Sequence, residues 1–361
     1  MRFKSDSYKC IRACVGIGRA CFLINKAHAL AIPLLVFGLT AAPCCFTAPA
    51  QAQSTRTYVS KNGSDSNPCT ATAPCVTLQG ALSKTLAGGE IYTLSSANYG
   101  YVTINQAVSI IAGAGVSGVL APSNVSGITI NAGANDIVNL RGLDVDGTGS
   151  GADGIQFTSG AALNIQDSAI RGFTNGINFQ PSGSGALSVI STLVSNNGTG
   201  ILFQSVTANA GLLNEVQLIN NGTGLDAVGT NSTAPVNVTL QDSLVANSSG
   251  VGVLSGGSSN VWVSNSLIVN NGTGLEAQNS GALLTASGST VTGNGTGWAT
   301  ANSGQVISSR NNAINGNKTS NSAPPTSISS SPPPPPPPTL DLVNNSGNPL
   351  QAPNGTVLAA M

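Results

Sequence analysis

Aliphatic residues recur along this chain with a period of about two dozen residues, and a Gly or Asn follows each recurrence. These Gly and Asn residues are Gly147, Gly172, Asn196, Asn220, Asn247, Asn270, Gly293 and Gly316, at intervals of 23 to 27 residues. Periods of about 20 to 50 residues are typical of stacked repeat architectures. Because Gly and Asn adopt the left-handed backbone region at little cost, this column predicts a bend in every repeat.

Two aliphatic columns keep a fixed distance from the predicted bend. The first lies two residues before it: Val145, Ile170, Val194, Leu218, Val245, Ile268, Val291 and Ile314. The second lies five residues earlier still: Leu140, Ile165, Val189, Leu213, Leu240 and Val263. After the bend, apolar residues that face the core alternate with residues that face solvent. This alternation predicts that Phe157, Phe179 and Phe203 stack inside the coil.

These columns predict the architecture. Aliphatic residues at fixed positions, mostly β-branched, indicate short strands that face a core. Like strands of successive coils then pair in parallel, through crossovers that are right-handed in nearly all proteins. The predicted fold is all-β: a single-stranded right-handed parallel β-helix with a short N-terminal capping helix.

The capping helix is predicted over Thr77–Ala87. This segment starts at a Thr suited to cap a helix and stops at Gly88-Gly89. Its apolar residues fall on one helical face: Leu78, Ala81, Leu82 and Leu86. Because the open end of a β-helix exposes core and unpaired strand edges, an amphipathic lid is expected there.

The first 52 residues differ in charge from the remainder. Their net charge is 6 − 1 = +5, whereas the remaining residues give 7 − 12 = −5. Basic residues, the apolar run Ala27–Phe46 and the small residues at 50–52 predict a signal peptide over residues 1–52. A secreted, periplasmic or cell-surface protein without an integral membrane span is then expected. The alternative is an uncleaved membrane anchor, since a span needs about 20 residues. The acidic remainder argues against a nucleic-acid partner.

The remainder divides into four segments, and it retains two cysteines. Residues 53–90 form the predicted N-terminal cap, 91–318 the β-helix, 319–338 a Ser/Pro-rich linker and 339–361 a C-terminal tail. Five of the seven cysteines lie in the leader, which leaves Cys69 and Cys75. In an oxidising compartment a disulfide between them is expected. A metal site would need more ligands than these two thiols.

Acidic residues are densest in the coil that contains Asp144, Asp146 and Asp153. Three carboxylates in one coil can hold Ca²⁺, which prefers about six to eight oxygen ligands. The repeat places Asp146 one rung from Arg171 on the outward face. The alternative interpretation is therefore an exposed ion pair between these two residues, which contributes about 0–1 kcal/mol.

Two more outward sites are candidates for chemistry or recognition. Asp226 and Glu276 are predicted two rungs apart with Gly252 between them, near the carboxyl separation of inverting hydrolases. Solubility is the alternative explanation for both acids. Trp262 is a candidate ligand-binding residue for a sugar ring, facing outward beside Leu212 and Leu202. Its predicted column is Asn164, Ser188, Leu212 and Thr239.

The chain also contains Asn-Gly-Thr runs that match glycosylation acceptors. They begin at Asn197, Asn221, Asn271 and Asn294. Their fixed place in the repeat is explained by turn geometry, so a structural role is predicted for them.

Several N-terminal residues form a recognisable motif. They are Tyr58–Asp65, the Cys69/Cys75 loop, Thr77-Leu78-Gln79 and Gly88-Gly89-Glu90-Ile91. Together they resemble the entry of pectin-lyase-like right-handed β-helix proteins, and residues 57–318 resemble the generic β-helix repeat family. That fold hosts pectate lyases, polygalacturonases, epimerases and non-catalytic surface proteins, so the fold does not select the chemistry.

The resemblance implies activities that can be weighed against the residues. Polygalacturonase-type members use a His motif, but the one histidine, His28, lies in the leader. A pectate-lyase-type activity would use Arg171 as the catalytic base, with Ca²⁺ at Asp144, Asp146 and Asp153. The preferred prediction is a non-catalytic exported binding or structural module, with a polysaccharide or cell-surface glycan as partner and no cofactor. The alternative is a Ca²⁺-dependent pectate-lyase-like polysaccharide lyase.

Overall fold

The computed structural model describes residues 53–113, 117–231, 234–309 and 311–319. The predicted signal peptide and C-terminal tail lie outside the described residues, as does the predicted linker apart from residue 319. No helix in the described ranges is long and apolar enough to cross a membrane.

Strands make up nearly all of the described secondary structure, together with one short helix, α1 (Leu78–Leu82). In chain order the strands are β1 (Ser54–Val59), β2 (Thr85–Thr93), β3 (Ala97–Asn98), β4 (Val102–Ile104), β5 (Val108–Ala112), β6 (Ser117–Leu120), β7 (Ile128–Asn131), β8 (Ile137–Arg141), β9 (Leu143–Ser159), β10 (Ala162–Gln166), β11 (Ala169–Phe179), β12 (Ala186–Ile190), β13 (Leu193–Ser195), β14 (Thr199–Ser205), β15 (Ala210–Asn214), β16 (Gln217–Ile219), β17 (Thr223–Gly229), β18 (Val236–Gln241), β19 (Leu244–Ala246), β20 (Val251–Gly257), β21 (Ser259–Ser264), β22 (Leu267–Val269), β23 (Thr273–Gln278), β24 (Leu283–Ser287), β25 (Thr290–Thr292), β26 (Thr296–Ala301), β27 (Gln305–Ser308) and β28 (Ala313–Ile314).

The strands form three parallel sheets, and each coil contributes to all three in turn. Sheet 1 has eleven strands, in the order β1-β2-β5-β8-β10-β12-β15-β18-β21-β24-β27. Sheet 2 contains β3, β6, the first parts of β9 and β11, β13, β16, β19, β22, β25 and β28. Sheet 3 contains β4, β7, the later parts of β9 and β11, β14, β17, β20, β23 and β26. The fold is the predicted right-handed parallel β-helix.

The predicted aliphatic columns pair rung by rung and form the core. On sheet 2, the column from Val145 to Val291 is fully buried. The second column, from Leu140 to Val263, lies in sheet 1. On sheet 3 the predicted phenylalanine stack is confirmed, with ring-centroid distances of 4.8 and 4.7 Å. Because a buried side chain of this size contributes roughly 1.5–3 kcal/mol, these columns hold the coils together.

Bends with left-handed backbone separate the sheets, as predicted, and they form two columns. Bend 2, between sheets 2 and 3, has positive φ at Gly172, Asn196, Asn220, Asn247, Asn270, Gly293 and Gly316. The prediction was wrong for Gly147, because the first of these bends lies at Thr148 and Gly149. Extra residues in that coil cause the shift: Arg171 pairs with Asp146, but Phe173 pairs with Gly151.

A further column of left-handed residues, which the sequence did not reveal, separates sheet 1 from sheet 2. This column, bend 1, consists of Gly142, Asp167, Ser191, Glu215, Asp242, Asn265 and Gly288. No single residue type is common to its seven members, which are Gly, Asp, Ser, Glu or Asn, so no sequence signal marked them. Exposed polar side chains of bend 1 therefore form one edge of sheet 2.

The predicted capping helix is present but shorter than expected. Thr77 caps α1, with its Oγ1 accepting a hydrogen bond from the Gly80 N–H at 2.9 Å. The helix ends at Leu82, and the prediction that it continues to Ala87 was wrong. Thr85 instead begins β2 and pairs with Ser54 of β1, so strand pairing overrides the helical pattern. Leu86 is consequently 39% exposed.

Polar contacts connect the N-terminal motif to the residues on either side of α1. The Asp65 carboxylate accepts hydrogen bonds from the N–H and the Oγ1 of Thr77 at 3.0 and 2.8 Å. Lys84, which is almost buried, donates from its Nζ to the Asp65 carbonyl. Cys69 and Cys75 are fully buried and form a disulfide with a Cα–Cα distance of 4.7 Å. Asp65, Thr77 and Cys69, which belong to the motif that carries the family resemblance, thus lie around α1.

Candidate functional site

The outward face of sheet 2 contains three of the residues that the sequence singled out, Asp144, Asp146 and Arg171. From β9 to β25, each rung of this sheet has three paired residues, so the middle one points into the core and the two flanking ones point outward. On successive rungs the outward pairs are Asp144/Asp146, Ala169/Arg171, Leu193/Ser195, Gln217/Ile219, Leu244/Ala246, Leu267/Val269 and Thr290/Thr292. This set is called the sheet-2 face below.

Arg171 holds both carboxylates at the N-terminal end of the sheet-2 face. Its Nη1 and Nη2 contact the two carboxylate oxygens of Asp144, the second at 3.0 Å. Its Nε lies 3.1 Å from Oδ2 of Asp146. The predicted neighbour relation between Asp146 and Arg171 is confirmed as an ion pair.

The two carboxylates affect the pKa of the Arg171 guanidinium. Hydrogen bonding to Asp144 raises the pKa of Arg171 above its usual value, and the charges of Asp144 and Asp146 act in the same direction. A group whose pKa lies far above the operating pH stays protonated, so its basic form is not available to accept a proton. The arrangement therefore favours charge pairing over proton abstraction by Arg171.

Asp153 lies apart from the other two predicted calcium ligands. It is only 7% exposed and belongs to the sheet-3 part of β9, where it pairs with Asn175. Its carboxylate accepts hydrogen bonds from Asn175 Nδ2 at 2.8 Å and from Asn178 Nδ2 at 3.1 Å. Among the described residues, no three His, Cys, Asp or Glu side chains are grouped so that they could hold a metal. Calcium binding stays a prediction, and the structure does not gather its three expected ligands.

Acidic side chains of bend 1 line the edge of the sheet-2 face. Asp167 forms an ion pair with Arg141, at 3.0 Å. Glu215 accepts a hydrogen bond from Ser191 Oγ at 2.8 Å. Within the described ranges, Glu215 and Asp242 form no salt bridge with Lys or Arg. Farther along the rod, this edge therefore presents uncompensated negative charge.

Two shallow cavities follow the same edge. One, of about 530 Å³, is lined by residues that include Asp144, Asp167, Arg171, Leu193 and Gln217. The other, of about 580 Å³, is lined by residues that include Glu215, Gln217, Asp242, Leu244 and Leu267. Both cavities include Gln217 in their lining, so they adjoin along this edge, and together they are called the groove below.

Aliphatic side chains continue the sheet-2 face beyond Arg171. They are Leu193, Ile219, Leu244, Ala246, Leu267 and Val269, called the aliphatic strip below. Leu193 and Leu267 are 37% and 40% exposed. This strip was not predicted, because only the inward column is aliphatic in every coil. The available signal was a Leu directly before the inward residue in three coils, at positions 193, 244 and 267.

Trp262 lies on sheet 1, away from the sheet-2 face. Its predicted column is confirmed, since Thr239 pairs with Trp262 and the earlier members align in turn. Leu202, which was expected beside it, lies in sheet 3, so that prediction was wrong. Trp262 is half-buried, and its Nε1 is buried without a hydrogen-bond partner among the described residues. Its role in ligand binding stays a prediction.

Asp226 and Glu276 lie two rungs apart on sheet 3, with Leu254 between them. The prediction of Gly252 at that place was wrong, because the bend after Asn247 is one residue longer than its neighbours. Leu202 precedes Asp226 in the same column, so leucines flank its carboxyl on both sides. Burial raises the pKa of Asp226 to about 6.

Comparisons with known proteins place the chain among β-helix structures. No family model matches the sequence, and no curated protein matches it. The chain is similar to the crystal structure of pectate lyase Pel9A, with a TM-score of 0.50 and 16% identity, over 77% of this chain and 80% of that chain. It is also similar to the A-module of mannuronan C-5 epimerase AlgE4 from Azotobacter vinelandii (TM-score 0.46, 14% identity, 64% and 80% covered). A rhamnogalacturonan lyase gives a TM-score of 0.46 at 15% identity, with 70% and 75% covered.

The likeness to the pectate lyase supports the parallel β-helix as the fold class. At 16% identity it concerns the fold alone. One fold of this kind hosts several chemistries, so function has to be argued from the residues of this chain.

Proposed function

We propose that this protein is an exported β-helix that binds a polysaccharide along the sheet-2 face without cleaving it. The observation that carries the proposal is the pair of adjoining cavities between Asp144 and Leu267, in which both carboxylates at one end are paired with Arg171. A long groove parallel to the rod suits a linear polymer better than a compact ligand. The ligand class is the one that the resemblance of Tyr58–Asp65 implies.

The pairing of Arg171 supports binding over catalysis. A lyase of the pectate-lyase type would need Arg171 free to accept a proton, and Asp144 and Asp146 free to bind Ca²⁺. Here the three groups satisfy one another, and the raised pKa of Arg171 opposes deprotonation. Calcium-dependent lyase activity is therefore the alternative outcome of the test.

The test combines retention with turnover. The purified protein is passed over insoluble polysaccharides and, in parallel, incubated with polygalacturonate and Ca²⁺ while ultraviolet absorbance is followed. Retention without the absorbance of an unsaturated product is the expected result. Absorbance that disappears in Arg171→Ala would establish the lyase instead, and failure to bind any polysaccharide would overturn the proposal.

A further inference from the structure

The charges in the second half of the β-helix all have one sign. Residues 172–309 contain four acids, Glu215, Asp226, Asp242 and Glu276, and no Lys, Arg or His. Glu215 and Asp242 are exposed at bend 1, beside the aliphatic strip. A polymer that lies in this part of the groove meets only negative charge.

The aliphatic strip is long and narrow. It covers four successive rungs, from Leu193 through Ile219 and Leu244 to Leu267, and it is one three-residue strand wide. At ladder and residue spacings of about 4.8 and 3.3 Å, it measures roughly 15 by 7 Å, on the order of 100 Å². A stable protein interface buries about 800 Å² on each partner. The strip is therefore too small to hold a second copy of the chain, but its shape fits a linear chain.

Polar rows border the strip on both sides. Bend 1 presents exposed Ser191, Glu215, Asp242 and Asn265, and bend 2 presents exposed Asn196, Asn220, Asn247 and Asn270. Carboxylates accept hydrogen bonds, whereas amides and hydroxyls both donate and accept them. Polar rows on either side of an aliphatic floor match a sugar chain, whose hydroxyls project from rings with apolar faces.

From these features we infer that the polysaccharide bound along the aliphatic strip is uncharged, and that Glu215 and Asp242 exclude uronate polymers from it. The inference rests on the proposed function and specifies its ligand class. Sugar rings lie over Leu193, Leu244 and Leu267, and their hydroxyls are hydrogen-bonded by the two bends. The carboxylates of a polyuronate would lie against Glu215 and Asp242 with no cation in this part of the chain to compensate them. Such repulsion weakens as salt screens it.

The decisive experiment compares two polymers with one backbone. Titration calorimetry measures binding of the purified protein to polygalacturonate and to its fully methyl-esterified, uncharged form, with an uncharged glucan as a third probe. The uncharged polymers are expected to bind at least tenfold more tightly than polygalacturonate at low salt. The double variant Glu215→Gln/Asp242→Asn is expected to bind polygalacturonate more tightly than the wild type does.

Variants locate the binding surface. Leu267→Ser is expected to weaken binding of the uncharged polymers at least fivefold. Leu86→Ser changes a leucine of similar exposure in the cap and is expected to bind like the wild type. Thermal melting of both variants confirms that they fold.

The outcomes separate the inference from the proposed function. Absence of binding to every polymer overturns both. Binding to polygalacturonate that equals or exceeds binding to its methyl ester overturns the inference alone, as does unchanged affinity in Leu267→Ser. A doubled mass in sedimentation that Leu267→Ser returns to the monomer value would assign the strip to self-association and also overturn the inference.

Discussion

The backbone N–H of Asn197 donates a hydrogen bond to Oδ1 of Asn221 on the next rung, at 3.0 Å. Asn221 in turn donates from Nδ2 to the Val194 carbonyl at 3.0 Å. Both contacts recur farther along the chain at Asn271, Asn294 and Asn317. All four Asn residues of the Asn-Gly-Thr runs are buried, so their predicted structural role is confirmed.

Ser248 interrupts this asparagine ladder, and restoring it should stabilise the protein. Its N–H donates to Asn271 Oδ1 at 2.8 Å, but its Oγ is buried without a hydrogen-bond partner among the described residues. In Ser248→Asn the side-chain amide can make the hydrogen bonds that Asn221 and Asn271 make in the ladder. The free energy of unfolding is therefore expected to rise by about 1 kcal/mol. Urea unfolding measures the change, with the exposed Ser249→Asn as control. A midpoint below that of the wild type would contradict the ladder.

Asn270→Val tests the left-handed bends. Asn270 has φ 56°, a conformation in which a β-branched residue is strained. The substitution is expected to lower the free energy of unfolding by roughly 1–2 kcal/mol. Thr290→Val, at an outward strand position of sheet 2, is the matched control and should change little. Equal effects of the two substitutions would argue against the bend.

How much could be predicted from sequence depended on whether one residue type repeats at a position. Val194 and the other residues of its column are aliphatic at every rung, because each one contacts aliphatic neighbours above and below. Glu215 and its bend-1 partners share a backbone conformation without sharing a side chain, so their alignment became visible only in three dimensions. For α1, pairing between Thr85 and Ser54 decided the boundary, and that contact is distant in sequence.

The geometry of the candidate site could also be predicted only in part. The neighbour relation between Asp146 and Arg171 could be predicted because counting residues through the repeat fixes it. The contact of Arg171 with Asp144 as well as with Asp146 could not be predicted, since it depends on the rotamer of the Arg171 side chain. The position of Asp153 was also missed, because the inserted residues before it displace its rung.

Arg171→Ala tests whether the ion pairs at the end of the groove matter for stability. The three side chains are partly exposed, so water screens their attraction, and a loss of about 1 kcal/mol or less is expected. The loss should be larger at about 0.01 M than at about 1 M salt, because salt screens exposed charges. Lys61→Ala, which removes an exposed charge elsewhere, controls for net charge. A loss that is independent of salt would show that packing of the Arg171 stem dominates.

Asp226 should make the stability of the β-helix depend on pH. Leu202 and Leu254 flank its carboxyl, and burial raises its pKa from 3.8 to about 6. The folded state therefore holds the proton more tightly than the unfolded chain does. The resulting stabilisation is fully present below about pH 4 and is lost as the pH rises through about 6.

Asp226→Asn removes this titration and is the last variant to measure. An amide stays neutral, so the variant should lose less stability than the wild type between about pH 4 and 7. At the upper end it should be more stable by on the order of 1 kcal/mol, less than the full pKa shift implies, because the side chain retains some contact with solvent. Asp242→Asn removes an exposed carboxylate at a bend and controls for net charge. If the two variants follow the same pH profile, the leucines on either side of Asp226 do not desolvate it.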